Sequence, residues 1–359
     1  MLTWESRNVS TLLHVPGRRI NMESTIKDIK KETGLALSTI SKYLNGGNVR
    51  PENKKKIEDA VKKLDYHPNE MARGLITKKT RTIGFVIYDI SGTFGGLLTH
   101  YVGALTRESG YGMIICDSNN DEEIEAENIK FLVDKKVDGI LVIPVSSNES
   151  FLESAKRADI PIVTLDRSIP GAHLDCVTID NVAAAQTAVE YLIRRGHEKI
   201  AAIYSEEYTG KQRRDGYRNA MKEAGLPISG AYEYHEGIHS VSLGYAGTKK
   251  LLALPKPDRP TAIFMSNYEV ALGVVMAINE QGISCPQDIS LISFDALTLN
   301  LVMKPMMTVM VQPMEEIASE AVRILMTRLQ SEGQTAVQRV LLSAELREGD
   351  SVRDLRSRR

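Results

Sequence analysis

The chemically suggestive residues of this 359-residue chain include the segment HEGIH, His235–His239. A zinc hydrolase needs this spacing inside a helix, so that both imidazoles lie on one face with the glutamate as general base. Gly237 interrupts the segment, and Tyr232 and Tyr234 alternate ahead of it as in a strand. The pattern does not favour a zinc site. Because no Ser/His/Asp or Cys/His set stands out either, we expect no catalytic residue, no metal, no cofactor and no enzyme activity.

A second group of polar residues follows short apolar runs. These runs lie at 83–87, 113–116, 139–143, 161–165, 177–179, 199–204, 261–265 and 289–294. Continuous apolarity is typical of parallel strands covered on both faces, and the intervals leave room for crossover helices. The pattern predicts a doubly wound α/β core with two subdomains. Ligands of such sheets bind beyond the carboxyl ends of strands, which directs attention to 88–94, 166–167, the stretch after Tyr204, 266–268 and 294–295.

The charge of the chain is divided unevenly. Residues 1–80 contain 16 Lys and Arg against 9 Asp and Glu, a net charge of +7, whereas the remaining residues carry −8. A basic head on an acidic body suggests that the head contacts a polyanion. A solvated surface with chance clustering remains the alternative on charge alone.

The basic head has the pattern of three short helices, over 25–32, over 37–44 and from Pro51 onwards. Gly34 ends the first helix with a residue that tolerates positive φ, and Pro51 is suited to the first turn of the third. Two helices joined by a glycine-containing turn and closed by a third describe a helix-turn-helix. A generic three-helix bundle remains possible from spacing alone.

Four motifs then identify a family. They are IKDI at 26–29, STISKYLN at 38–45, YHPNEMARGL at 66–75 and KKT at 78–80. Their order and spacing resemble the LacI/GalR family of transcriptional repressors, over residues 24 to about 347. The resemblance implies an N-terminal all-α helix-turn-helix domain, a hinge helix and a periplasmic-binding-protein-like (type I) α/β core of two doubly wound subdomains. It also implies a sequence-specific DNA-binding transcriptional regulator, with repression as the expected direction, whose operator affinity a small sugar-like effector controls.

The resemblance also implies a division of the chain. Residues 22–66 would form the helix-turn-helix domain, 67–80 the hinge helix and linker, and 81–347 the effector-binding core. We expect the N-subdomain to comprise about 81–180 and 306–329, and the C-subdomain 181–305 and 333–347. The chain would cross between them near 179–182, 304–308 and 329–335, with a closing strand near 337–342 in the C-subdomain. Residues 1–21 would be a disordered extension and 348–359 a charged tail.

For DNA contact, the resemblance implies the following residues: Leu37, Ser38, Thr39, Ser41, Lys42, Asn45, Asn69, Arg73 and Leu75. Leu37, Ser38 and Lys42 would read bases, and Leu75 would wedge into the minor groove. The others would position the protein, largely through phosphates. Lys42 replaces the usual Arg, and a lysine is a point donor rather than a bidentate fork, so we expect weaker guanine recognition there.

For the effector, the resemblance implies contacts from Phe94, Asp166, Arg213, Asn267 and Asp295. Carboxylates, an amide and a guanidinium suit a polyhydroxylated ligand, because each forms paired hydrogen bonds with neighbouring hydroxyls. A sugar or sugar acid is the expected class. The alternative for each polar residue is a buried ion pair without a ligand.

The expected assembly is a homodimer that binds a pseudopalindromic operator. Three dispersed Cys, no secretory signal and no apolar run of membrane-spanning length predict a cytoplasmic protein without membrane contact. Two alternatives from other classes remain. A sugar-binding receptor would share the core fold but lack DNA affinity, and a sugar-converting enzyme would show turnover.

Overall fold

The N-terminal part of the chain contains three helices around a small apolar core. In the computed structural model, residues 24–44, 46–66, 79–331 and 336–356 are described. The helices are α1 (Ile26–Thr33), α2 (Leu37–Leu44) and α3 (Pro51–Lys63). They belong to a unit ending at Lys78, and a second unit begins at Lys79. The predicted extension 1–21 and most of the predicted hinge and linker, 67–78, lie outside the described residues.

Local sequence fixes where α1 begins and ends. Thr25 and Asp28 form a capping box, in which the backbone N–H of Thr25 donates to Asp28 Oδ2 at 2.8 Å. Gly34 ends the helix with φ of 70°, a conformation that favours glycine. The core under the three helices contains Ile29, Ile40, Ile57 and Ala60, all buried. Each helix therefore contributes at least one buried apolar residue to this small core.

The second unit contains two six-stranded sheets. The first sheet is built from β1 (Thr82–Ile87), β2 (Gly112–Asp117), β3 (Gly139–Val142), β4 (Ile162–Leu165), β5 (Asp175–Ile179) and β11 (Arg339–Leu342). Its spatial order is β11-β5-β4-β3-β1-β2, and all its pairs are parallel. Its helices are α4 (Thr93–Glu108), α5 (Glu122–Asp134), α6 (Glu153–Arg157) and α11 (Met314–Gln330). We call this the first subdomain.

The second subdomain repeats this arrangement. Its strands are β6 (Ile200–Tyr204), β7 (Glu233–His235), β8 (Ala262–Met265), β9 (Ser290–Phe294), β10 (Thr308–Val311) and β12 (Glu345–Arg347). The spatial order is β12-β10-β9-β8-β6-β7, in which only the β10–β12 pair is antiparallel among the described residues. Its helices are α7 (Asn181–Arg194), α8 (Tyr208–Glu223), α9 (Val241–Leu252) and α10 (Tyr268–Glu280). The predicted α/β architecture of two doubly wound subdomains is confirmed.

Burial explains why the apolar runs form these strands. Every residue of β3, β4, β6, β8 and β9 is buried, because helices cover both faces of each sheet. All eight predicted runs form strands. The strand β10 was not predicted, although Thr308, Val309 and Met310 are buried in it.

The strand β10 corrects the predicted second crossing between the subdomains. Thr308 pairs with Ile292 of β9, so β10 extends the second sheet. The chain therefore crosses after Val311 and not at 304–308. Residues 306–311, which we predicted to be in the N-subdomain, belong to the second subdomain. The physical reason is that the buried face of β10 completes the core beside β9.

The closing strand was also assigned to the wrong subdomain. β11 pairs with β5 in the first sheet, with Leu342 beside Ile179. The third crossing lies between β11 and β12, at 343–344, instead of at 329–335. β12 then pairs with β10, with Met310 beside Leu346. Two short strands separated by two residues thus serve different sheets, which a single apolar run does not reveal.

The predicted charged tail is part of the second subdomain as far as it is described. Ser351 and Val352 are buried, and Ser351 Oγ donates to the carbonyl of Leu291 at 2.6 Å. The Arg353 carbonyl lies 3.1 Å from His197 Nε2, and His197 Nδ1 lies 2.8 Å from Thr261 Oγ1. The segment up to 356 therefore packs along the end of the second sheet, where His197 contacts it after α7.

Burial lowers the pKa of His197 to about 4, so folding favours the neutral imidazole. Between this value and the ordinary histidine pKa, the unfolded chain binds more protons than the folded chain. The contribution of His197 to the free energy of unfolding should therefore be fully present near neutral pH. It should fall as pH decreases, by about 2 kcal/mol between pH 7 and pH 5. Urea unfolding of His197→Gln should lack that part of the pH dependence. The exposed His173, as His173→Gln, is the matched control, and an equal pH dependence in both variants would contradict this role.

Candidate functional site

The outer face of α2 is the candidate DNA-contacting surface. Leu37, Ser38 and Lys42 are exposed, whereas Ile40 on the opposite face is buried in the core. The outer face of α2 thus presents an apolar group, a hydroxyl and an ammonium group together, which are side chains that contact base edges and phosphates.

The remaining predicted DNA contacts divide into two groups. Thr39 and Ser41 are half-buried along the edge of α2. Asn45, Asn69, Arg73 and Leu75 lie outside the described residues. Tyr43 donates its hydroxyl to Glu58 Oε1 at 2.7 Å, and this bond ties α2 to α3.

The five predicted effector residues line one cavity of about 580 Å³ between the two subdomains. They are Phe94, Asp166, Arg213, Asn267 and Asp295. Phe94 lies in the first turn of α4, and Asp166, Asn267 and Asp295 follow β4, β8 and β9 closely. The cavity therefore lies at the carboxyl ends of the strands, where an open α/β sheet binds its ligands.

Asp166 is buried against an arginine of its own loop. Its Oδ2 lies 3.5 Å from Arg167 Nε, and the Arg167 guanidinium lies over the Tyr88 ring at 4.5 Å. Burial raises the pKa of Asp166, and Arg167 and Arg213 only partly oppose that shift. The ion pair that we considered as an alternative is thus present, and the same carboxylate also lines the cavity.

Arg213 is held on three sides. Its Nε donates to Asn181 Oδ1 at 2.8 Å, its Nη1 donates to the Ser266 carbonyl at 2.5 Å, and its guanidinium stacks on Phe294 at 3.9 Å. Gly216, one turn later, makes this possible, because a Cβ there would lie 2.2 Å from the Val182 carbonyl oxygen. Close packing of α7 and α8 therefore positions the guanidinium.

Asp295 connects β9 to the second crossing. Its Oδ1 accepts from the backbone N–H of Gln312 at 3.2 Å, and its Oδ2 accepts from Gln312 Nε2 at 2.5 Å. Gln312 lies between β10 and α11, on the segment where the chain passes between subdomains. A ligand that displaces the Asp295 side chain would therefore act directly on the segment that connects the two subdomains.

Two carboxylates that we did not predict bridge the subdomains. Glu269 Oε1 accepts from the backbone N–H of Thr93 at 3.4 Å and Glu207 Oε1 lies 3.4 Å from Arg167 Nη2. Glu269 also accepts from Asn267 Nδ2 at 2.5 Å. Both acids lie at helix N-termini, next to the segments that follow the carboxyl ends of strands. This position in the sequence is the signal from which the two acids could have been predicted.

His239 of the HEGIH segment also lines the cavity. His235 ends β7 and His239 lies in the following loop, so the two imidazoles do not share a helix face. Burial, with Arg213 and Arg167 nearby, lowers the pKa of His239 well below its usual range, so this imidazole is neutral. Among the residues described, no group of three or more His, Cys, Asp or Glu is placed to hold a metal ion. None of the described helices is long and apolar enough to span a membrane.

Comparison with known proteins agrees with this architecture. Residues 25–69 match the description "Bacterial regulatory proteins, lacI family", and residues 189–352 match "Periplasmic binding protein-like domain". The chain is 34% identical to catabolite control protein A of Priestia megaterium over 309 residues, covering 85% of this chain and 92% of that protein. The chain belongs to the LacI family.

Further LacI-family similarities extend over most of the chain. The ribose operon repressor of Escherichia coli K12 is 32% identical over 310 residues, covering 85% of this chain and 93% of that protein. A structure of the lac repressor dimer bound to operator and the anti-inducer ONPF has the same fold, with a TM-score of 0.81 at 20% identity, covering 92% of this chain and 99% of that one. The predicted family is confirmed, and the protein is a DNA-binding transcriptional regulator rather than a receptor without DNA function.

Proposed function

We propose that this LacI-family regulator represses transcription by binding a pseudopalindromic operator as a homodimer, and that a sugar-like effector in the cavity controls its operator affinity. The observation that supports this most directly is the convergence of Phe94, Asp166, Arg213, Asn267 and Asp295, from both subdomains, on one cavity. A ligand that contacts both subdomains changes the energy of their relative arrangement. The proposal requires no turnover, and it implies an intracellular location.

The chemistry of the cavity supports a polyhydroxylated ligand. Carboxylates, an amide and an imidazole accept or donate hydrogen bonds to hydroxyls, and Phe94 and Tyr88 provide apolar surface for the face of a sugar ring. The ribose operon repressor, among the relatives, is named for a sugar operon. A volume of about 580 Å³ accommodates a sugar with some of its water.

The proposed coupling depends on the predicted hinge. A helix of about eight residues is marginal alone in water, because nucleation costs more than so few hydrogen bonds return. It would order when a dimer brings two hinges together on DNA. An effector that changes the subdomain arrangement would alter the cost of that ordering. Coupling of about 1–3 kcal/mol changes operator affinity about 5–150-fold.

Asp166→Ala should abolish the response to the effector while DNA binding persists, because the carboxylate lines the cavity within the second unit. The operator is first selected from genomic fragments with purified protein, and effectors are screened by thermal shift. A ligand at about 100 times its Kd adds about 2.7 kcal/mol of stability, which such a screen detects. Calorimetry that shows undiminished ligand affinity in Asp166→Ala would contradict the assignment.

The same experiment separates the proposed function from its alternatives. No preference for any fragment over random competitor, at every salt concentration, would refute operator binding and favour a receptor. Conversion of a bound sugar into product would favour an enzyme. Release or tightening of the selected operator by a bound sugar supports the proposal.

A further inference from the structure

The buried arginines of the cavity direct their donors at the protein. Arg213 donates to Asn181 and Ser266, with its face covered by Phe294. Arg167 Nη1 donates to the Pro144 carbonyl at 3.4 Å, and its Nη2 donates to Glu207 at 3.4 Å. These bonds use two of the five N–H groups of each guanidinium, and Arg167 Nε is buried without a hydrogen-bond partner. The balance of charge around the cavity therefore decides which ligand is favoured.

Carboxylates outnumber the cations around the same space. Asp166, Glu269 and Asp295 line the cavity, and Glu207 lies behind Arg167. Against these four acids stand Arg167 and Arg213, because His239 is neutral. At the rim, Glu315 and Glu316 line the cavity together with Arg347, whose Nε lies 3.3 Å from Glu345. The wall is therefore rich in acceptors and net negative.

Glu269 is the least compensated of the inner acids. Its hydrogen bonds come from neutral donors: the Thr93 amide, the Asn267 side chain and its own backbone N–H. The charged groups that affect it most are two further acids, Asp295 and Asp89. Burial, with these acids, raises the pKa of Glu269. Asp166 and Asp295, by contrast, each have arginine among their main charged neighbours.

Glu269 is half-buried, and an uncompensated carboxylate is costly there; a ligand cation beside it would reduce that cost. A ligand carboxylate or phosphate would instead add a like charge to a wall in which four acids outnumber two arginines. A neutral sugar satisfies the acceptors through its hydroxyls but leaves the charge of Glu269 without a counter-ion. The cationic ligand should therefore bind most tightly, the neutral sugar less tightly and the anionic ligand most weakly.

We propose that the effector is an amino sugar, whose hydroxyls bind the strand-end residues and whose ammonium group lies at Glu269. This rests on the proposed function, in which a sugar-like molecule occupies the cavity. An amino-sugar effector narrows the expected effectors, sugars and sugar acids, by excluding the sugar acids. Glu269 becomes the residue that selects the charge of the ligand.

The test is calorimetry on the full chain with glucose, galactose and mannose, each as the neutral sugar, the 2-amino sugar and the uronic acid. Measurements at about pH 6.5 keep the amines protonated. Within a set that binds, we expect the amino sugar to bind at least about tenfold more tightly than its neutral counterpart and the uronic acid to bind most weakly. Operator affinity is measured in parallel with each compound.

Glu269→Gln keeps the shape of the side chain and removes its charge. We expect it to reduce the preference for the amino sugar to about threefold or less. Glu280→Gln, on the same helix, is the matched control, because Glu280 is exposed and bonded to Lys249 and Tyr245. It should retain the full preference. If Glu269→Gln does not fold, the ranking of the three ligand forms on the unmodified protein decides.

A neutral sugar or a uronic acid that binds as tightly as the amino sugar, and that changes operator affinity, would overturn this inference and leave the proposed function intact. No binding and no change of operator affinity with any compound would count against the sugar-like effector itself. An unchanged amino-sugar preference in Glu269→Gln would overturn the role of Glu269.

Discussion

Arg213→Met is expected to lower the free energy of unfolding by about 3–5 kcal/mol, because it removes one partner of a buried charge cluster. Arg213 is 3% exposed, and its charge interacts with those of Asp295 and Asp166. Its loss leaves the Asn181 and Ser266 oxygens without their donor. Urea unfolding measures the effect, and effector binding by calorimetry should be lost as well.

The pH dependence of this variant has a definite sign. Burial raises the pKa values of Asp166 and Asp295, and Arg213 opposes the shift in both. Without Arg213 the folded pKa values rise further above the unfolded ones, so the ionised carboxylates destabilise the fold as pH increases. The destabilisation should therefore be smaller at low pH than at neutral pH.

Arg214→Met is the matched control on the same helix. Arg214 bonds only to its neighbour Asp215 among the described contacts and is partly exposed, so its loss should cost less than about 1 kcal/mol. Equal destabilisation of the two variants would contradict a structural role of Arg213 in the cavity.

The sequence predicted most strands of the core and the three N-terminal helices, because each of these elements depends on a local signal. Continuous apolar runs and the helix-breaking Gly34 act within a few residues of their own position. The second and third crossings were placed wrongly because β10, β11 and β12 are only three or four residues long and their partners lie in other parts of the sequence. Whether residues 339–342 join β5 or β10 is decided by which sheet edge is open, and no local pattern records that.

The site was predicted unevenly for a related reason. The strand-end rule and the family resemblance selected Phe94, Asp166, Arg213, Asn267 and Asp295, and the structure brings all five together. Glu207 and Glu269 were missed because their importance lies in contacts across the cleft, to Arg167 and to the Thr93 amide. His239 was set aside with a motif that suggested zinc, although its position after β7 places it in the cavity.

Leu75→Ala is expected to weaken operator binding about 10–100-fold. The LacI-family resemblance places Leu75 at the side chain that wedges into the minor groove and kinks the central base step. The wedge unstacks that step at a cost of a few kcal/mol, recovered through contacts that the bend permits. Truncation to alanine removes about 1.5–3 kcal/mol of apolar burial from that balance. Fluorescence titration on the selected operator measures the loss.

The salt dependence distinguishes a wedge from a phosphate contact. Because leucine neutralises no phosphate, the slope of log affinity against log salt should be unchanged in Leu75→Ala, whereas the loss of a cation that contacts a phosphate would reduce that slope by about one. Effector affinity should persist in Leu75→Ala, since the cavity residues belong to the second unit. Ile228→Ala, a half-exposed apolar truncation in that unit, controls for apolar loss in general. Operator affinity within about twofold of the unmodified protein would refute the wedge, because an apolar contact of this size changes a binding constant by more.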